Sequence, residues 1–186
     1  MDTPLQQHNA ATSLKPVLAV ERITAKLSAA DLNDLCDATD SAIHAGGGFG
    51  WTKIPPRAAL QRFWEGVVAM PIRALFVARL DGVICGAAQL VRPPKNNEAQ
   101  SFAVNLTNLF IAPWARGHGL SRMLLDYVEK EAFKEGYEII NLDVRETQTT
   151  AIQLYESAHY QLIGTHPEYA KIDGKVIAGR YYYKKL

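Results

Sequence analysis

The chain has 186 residues, 48% of them hydrophobic and 21% charged, a composition that suits one globular domain with a substantial core. A formal net charge of +1 sets up no global field that would draw in nucleic acid or an anionic membrane, and no apolar run approaches the length of a membrane span. The two cysteines, Cys36 and Cys85, follow no CxxC pattern and read as small buried hydrophobes of a reducing compartment, and the five histidines show no metal-ligand spacing.

Residues 1–16 are polar and lack a basic segment followed by an apolar one, so they read as a disordered leader and not as a signal peptide. Val17–Ile23 is a short first strand. Ser28 stands three residues before Asp31, a helix-start signal, and Leu32, Leu35, Cys36, Thr39, Ala42 and Ile43 trace one helical face down to His44. A second helix begins near Pro55-Pro56, since proline is favoured in a first turn. The segment between them, Ala45–Thr52 (AGGGFGWT), is either a flexible linker or a loop that folds over a substrate, with Phe49 and Trp51 as its contact groups.

Ala74–Leu80 and Val83–Val91 read as strands joined at Asp81-Gly82, a two-residue hairpin signal. A polar loop over Arg92–Gln100 leads to a strand over Ser101–Ile111, and a helix then runs to about Gly136. Glu138–Val144 is the next strand, with Asn141 and Asp143 on the face opposite Ile140, Leu142 and Val144. Thr150 and Gln153 form a capping-box pair for a helix that carries Ile152, Tyr155, Ala158 and His159. Tyr160–Thr165 and Val176–Lys184 pair as closing strands, linked through Asp173-Gly174. The order of strand, two helices, three-strand meander, helix, strand, helix and hairpin implies a mixed sheet with helices on both sides.

One stretch carries the clearest chemical signal. In Asn105–Val128 a strand passes through Pro113 into the glycine-containing turn Arg116-Gly117-His118-Gly119 and then into an amphipathic helix. A glycine turn at a helix N-terminus is an anion site, because the first amides have no intrahelical acceptor and the helix dipole adds partial positive charge. A Walker loop is absent, and the dinucleotide pattern GxGxxG fails where its third glycine would fall on Arg122. A nucleotide-binding α/β domain also conflicts with the antiparallel meander before the loop.

Arg116-Gly117-His118-Gly119-Leu120-Ser121 resembles the acetyl-CoA loop of the GNAT N-acetyltransferases, with Ser121 in place of the usual last residue. A second stretch, Val144-Arg145-Glu-Thr-Gln148-Thr-Thr-Ala151-Ile152-Gln-Leu154-Tyr155-Glu156, is similar to that family's Val-Arg-x-x-Asn…Leu-Tyr-Glu pattern, with Gln148 at the asparagine. The resemblance covers residues 17–186 and implies one N-acetyltransferase domain of the α/β (α+β) class, a GNAT fold with a central mixed, mostly antiparallel sheet. Gly47-Gly48-Phe49-Gly50, Phe63-Trp64 and the C-terminal Tyr169 and Tyr181–Lys184 look like the tabtoxin-resistance branch, which implies a small amine or amino-acid-like acceptor.

What the resemblance implies for the site is specific. Backbone and side chains of Arg116, Gly117, His118, Gly119, Leu120, Ser121 and Arg122 would surround the CoA phosphates. A backbone N–H of Phe110 or Ile111 would meet the thioester carbonyl, and Gln148 and Tyr155 would lie along the pantetheine arm. On its helix alone Tyr155 is a core aromatic; beside the loop it reads as general acid to the departing CoA thiolate. The strand before the loop has no carboxylate between Ser101 and Ala112, so Asp143 is the first candidate for the base and Glu98 a distant second. Asp143 is equally readable as a structural hydrogen-bonding group. Neutralising a lysine-like ammonium at pH 7 costs about 4–5 kcal/mol, which a positioned base recovers in part.

The expected protein is therefore a cytoplasmic enzyme that moves acetyl from acetyl-CoA to a small primary amine, without metal and without a covalent intermediate. The C-terminal aromatics would suit a homodimer. A catalytically silent acyl-CoA sensor on the same fold is the alternative, favoured by the missing carboxylate and opposed by Tyr155.

Overall fold

The structure is a computed structural model that describes residues 15–47 and 49–186. Apart from Lys15 and Pro16, the expected leader lies outside the described residues. Among the described residues seven strands form one sheet: β1 (Leu18–Ile23), β2 (Arg73–Leu80), β3 (Val83–Val91), β4 (Ala103–Ile111), β5 (Ile139–Arg145), β6 (Gln161–Ile172) and β7 (Lys175–Lys185). The helices that cover it among the described residues are α1 (Ala29–His44), α2 (Arg57–Ala69), α3 (Leu120–Lys134) and α4 (Thr149–Ser157). The strand order is β1-β2-β3-β4-β5-β7-β6, and only the β4–β5 pair is parallel. This is the mixed, mostly antiparallel arrangement expected from the element order.

Local chemistry accounts for most element ends. The Ser28 hydroxyl accepts the Asp31 N–H at 3.0 Å and starts α1. Asp81 and Gly82, then Asp173 and Gly174, take the left-handed backbone that a two-residue hairpin turn needs. The capping box expected at Thr150 and Gln153 is absent. The cap of α4 is Gln148, whose side chain makes no capping bond, and the helix ends at Ser157, so His159 stands outside it with φ of 66°. The polar stretch after Thr165 is not a loop either. It continues β6 to Ile172 through a bulge that sets Pro167, Glu168 and Tyr169 against Ala178 of β7.

Alternation along the strands divides the interior into two layers. Phe76, Ala78, Leu90, Val104, Leu106 and Ile140 point toward α3 and α4, while Leu75, Val77, Ile84 and Ala87 pack with α1 and α2. The second layer centres on Trp64, which is fully buried and donates its indole N–H to Thr39 at 3.0 Å. Beyond β4 this side of the sheet opens: Asp143 on β5 is exposed, and Tyr181 on β7 is 40% exposed.

Two irregularities in β4 create the space for a site. Its parallel pairing with β5 covers only Ala103–Asn105 against Ile139–Asn141, so the two strands separate from Leu106 and Leu142 onward. On its other edge β4 is bulged, because Asn108 and Leu109 together oppose Ala88. Asn108 takes φ of 52°, a conformation that asparagine tolerates better than most residues. Such a bulge raises local twist and re-aims the backbone.

Candidate functional site

The gap between β4 and β5 is a cleft of about 430 Å³. The diverging strands, one face of α4, the loop at Phe49–Thr52 and β6 form its walls. Along Leu106–Leu109 the edge of β4 that faced β5 no longer has a strand beside it. Backbone amides in such a gap require another partner, and a ligand with its own amide groups supplies one. The Thr107 hydroxyl on the same wall is buried without a partner among the described residues, as is the Gln89 side-chain amide nitrogen beside it in register.

At the end of β4 the chain makes a short 3-10 turn, Pro113–Ala115, and reaches α3 through Gly117 and Gly119, with φ of 84° and 78°. Gly119 is the N-cap of α3 and offers no side chain, and no atom lies within 4 Å of where a Cβ would stand at either glycine. Its carbonyl accepts the N–H groups of Arg122 and Met123, both at 3.1 Å, which leaves the amides of Leu120 and Ser121 without a helical acceptor. Open space over first-turn amides suits a diphosphate.

The side chains of the expected loop divide by role. Leu120 is 2% exposed and packs in the α3–α4 core, so only its backbone faces outward. Arg122 bonds to Asp126 one turn along its own helix, at 2.8 Å. Arg116 reaches back to the Ile111 carbonyl at 3.4 Å, and His118 Nδ1 lies 3.2 Å from the Ala115 carbonyl. Phe110 and Ile111 pair with Ala87 and Gly86 and do not line the cleft; the bulge residues Asn108 and Leu109 do.

Tyr155 is 5% exposed, lines the cleft, and meets Tyr160 edge-to-face at 5.6 Å between ring centroids. Burial, and then the charge of Asp143, pushes its phenol well above the ordinary tyrosine range, so the hydroxyl keeps its proton. Asp143 lines the same cleft and accepts a hydrogen bond from the Tyr169 hydroxyl. Tyr169 is held there by the β6 bulge, by an edge contact with Tyr181, and by Gly179, over which its ring lies. Sequence reasoning did not single out Tyr169 as a site residue; the signal available was a proline inside a strand, which marks a bulge. Glu98 sits in a 3-10 turn before β4 and does not line the cleft.

Gly46 and Gly47, at the start of the Ala45–Thr52 segment, are tied to β5 and to the start of α4. Arg145 donates to the Gly47 carbonyl, and Gln148 donates to the Gly46 carbonyl at 2.6 Å. Phe49 is 5% exposed and forms an aromatic chain with Phe110 and Trp51, at 4.9 Å and 6.1 Å. Trp51 is half-buried against Phe63. Phe49 thus belongs to the core of the second layer while its edge reaches the cleft.

Residues 40–160 match the model of the acetyltransferase (GNAT) family. The chain belongs to that family. It is 58% identical over 131 residues to an uncharacterized N-acetyltransferase from the hisH-hisA intergenic region of Azospirillum brasilense, covering 70% of this chain and 77% of the relative. An N-acetyltransferase of Staphylococcus aureus Mu50 superposes with a TM-score of 0.77 at 16% identity, over 91% of this chain and 98% of that one. Salmonella typhimurium yncA, solved with its cofactor acetyl-CoA, superposes with a TM-score of 0.74 at 15% identity, over 91% and 94%. The protein is accordingly an N-acetyltransferase that uses acetyl-CoA, and the silent-sensor alternative is not favoured. The tabtoxin-resistance branch is not singled out by these relatives.

Proposed function

We propose that the enzyme acetylates the primary amine of a small molecule by direct attack on acetyl-CoA, with Asp143 as base and Tyr155 as acid. The observation that carries this reading is that both side chains line one cleft, where β4 and β5 part. Acetyl-CoA brings an acyl group on a thioester; the glycine turn and the first amides of α3 hold its diphosphate, and the free edge of β4 takes its pantetheine amides.

Asp143 accepts a proton from the incoming ammonium, directly or through one water, which frees the nitrogen lone pair. The nitrogen–carbon bond forms at the acetyl carbonyl carbon, the carbon–sulfur bond breaks, and the Tyr155 hydroxyl gives its proton to the departing sulfur; the nitrogen sheds its second proton in the same collapse, and through water that proton restores the phenol. A backbone N–H at the Asn108–Leu109 bulge is better placed for the developing oxyanion than Phe110 or Ile111, which pair with β3. Phe49 stands on the acceptor side of the cleft with Trp51 stacked behind it, and Gln148 joins that side to the cofactor arm.

Residues 17–186 form this one domain, in the cytoplasm, where the two buried thiols stay reduced. Leu162, Ile163 and Val176, exposed on the β6–β7 hairpin, suit a homodimer, which sedimentation would detect. The small-amine specificity agrees with the resemblance to the tabtoxin-resistance branch. The test is CoA release from acetyl-CoA across amines, amino acids and aminoglycosides, with Asp143→Asn alongside. Turnover of at least one small amine, and loss or displacement of the pH–rate profile in the variant, are expected. An unchanged profile would make Asp143 structural.

A further inference from the structure

The acceptor side of the cleft carries more charge than an amine alone would need. Besides Asp143, it is lined by Arg145 and Lys171. Asp143 and Arg145 stand two apart on β5, so their side chains leave the same face about 7 Å apart along the strand. Lys171 approaches from β6, two residues beyond Tyr169. Among the described residues none of the three takes part in an ion pair, whereas eight other arginines and lysines do, Arg22 and Arg79 among them.

Arg145 is the most telling of the three. It is half-buried, and one of its terminal nitrogens donates to the Gly47 carbonyl, its sole hydrogen bond among the described residues. Burial weakens its hold on its proton, and among the described residues no carboxylate lies within ion-pair distance of it. A guanidinium kept in that position is costly unless an anion arrives to pair with it. The CoA diphosphate does not fill this role, since no residue from Arg116 to Ser121 lines the cleft.

Resting on the small-amine reading above, we infer that the acceptor is zwitterionic, an α-amino acid or close analogue whose ammonium meets Asp143 and whose carboxylate meets Arg145 and Lys171. The two charges of an α-amino acid are close enough for one small molecule to reach both ends of this arrangement. Asp143 then orients the nitrogen for attack, and the cations hold the far end, so that the pocket selects for the anionic group and not for the amine alone. A neutral amide in place of the carboxylate leaves the half-buried guanidinium unpaired, which is where discrimination is strongest.

The test compares each L-amino acid with its own carboxamide and with the corresponding decarboxylated amine, reading CoA release under saturating acetyl-CoA. The free acid of the preferred acceptor should exceed its amide at least tenfold in kcat/KM. Arg145→Gln and Lys171→Gln should each raise KM for the acid and narrow that ratio at least fivefold, leaving KM for acetyl-CoA unchanged. Lys171 is exposed, so its variant keeps the test decisive even if Arg145→Gln loosens the Gly47 loop. Acid and amide used within twofold of each other, or a preference for neutral amines, would overturn the inference while leaving small-amine acetylation in place. No turnover with any amine, in an enzyme that still binds acetyl-CoA, would overturn both.

Discussion

Replacing Gly179 by alanine should uncouple Tyr169 from Asp143. A Cβ at Gly179 would stand 2.1 Å from Tyr169 Cγ and 2.5 Å from both Cδ atoms, whereas ordinary contact begins at 3.4 Å. The ring must therefore retreat by roughly 1.3 Å, the difference between 2.1 and 3.4 Å. These atoms lie near the root of the side chain, so a small torsion cannot clear them, and the hydroxyl at the far end leaves the Asp143 carboxylate. Asp143 is exposed, so water replaces much of that bond and overpacking dominates, at about 1–3 kcal/mol. For a chain of this length that is a fall of about 2–12 °C in Tm, at ~2–4 °C per kcal/mol. An alanine placed in a strand without a clash works the other way and stabilises by about 0.4–1 kcal/mol, so the sign of the shift is decisive. The assay is thermal and denaturant unfolding of Gly179→Ala in the wild-type and Tyr169→Ala backgrounds. The loss should appear in the first and vanish or reverse in the second. An increase in Tm for the single variant, or an equal loss in both backgrounds, would refute the reasoning.

Gly119→Val should abolish acetyl-CoA binding in a folded protein, because it forces a β-branched residue to φ near 78° and fills the space over the α3 amides; calorimetry with wild-type affinity would contradict this. Tyr155→Phe keeps the ring packing and removes the proton donor, so kcat should fall at least tenfold with acetyl-CoA affinity nearly unchanged, and unchanged kcat in a chemistry-limited reaction would return Tyr155 to the core. Because the Tyr155 phenol is raised, its donor form is lost only above the ordinary tyrosine range. The wild-type kcat/KM should rise from neutral to alkaline pH as the acceptor amine loses its proton, and the raised phenol means no decline near the usual tyrosine pKa of ~10; a decline there would mean a solvated phenol. Burial pushes the Cys85 thiol up to about 11 and raises Cys36 as well, so neither should react with a disulfide reagent at pH 8 until the protein unfolds, which titration before and after denaturant measures.

Much of the scaffold was legible because its signals are local. Ser28, the Asp-Gly pairs at residues 81–82 and 173–174, and the glycine turn before α3 each specify backbone angles over a few contiguous residues. The apolar faces of α1 and α3 follow from helical spacing, which needs no knowledge of a partner. The expected capping box at Thr150 misled because the chain entering α4 comes from β5, and Gln148 is instead held by the Gly46 carbonyl, 102 residues earlier.

The sequence by itself determined the order and kind of the elements, the anion-binding turn, and the residues with chemistry to offer, since these depend on neighbours along the chain. Only the tertiary structure decided how far β4 and β5 stay paired, and hence that a cleft exists between them. It also decided which carboxylate faces that cleft, that a bulge places Tyr169 on it, and that Gly179 leaves room for the tyrosine ring. Divergence of two strands and the landing point of a bulge are settled by packing among β4, β5, α4 and the β6–β7 hairpin. Those segments lie up to about eighty residues apart, beyond the reach of any periodicity within one of them.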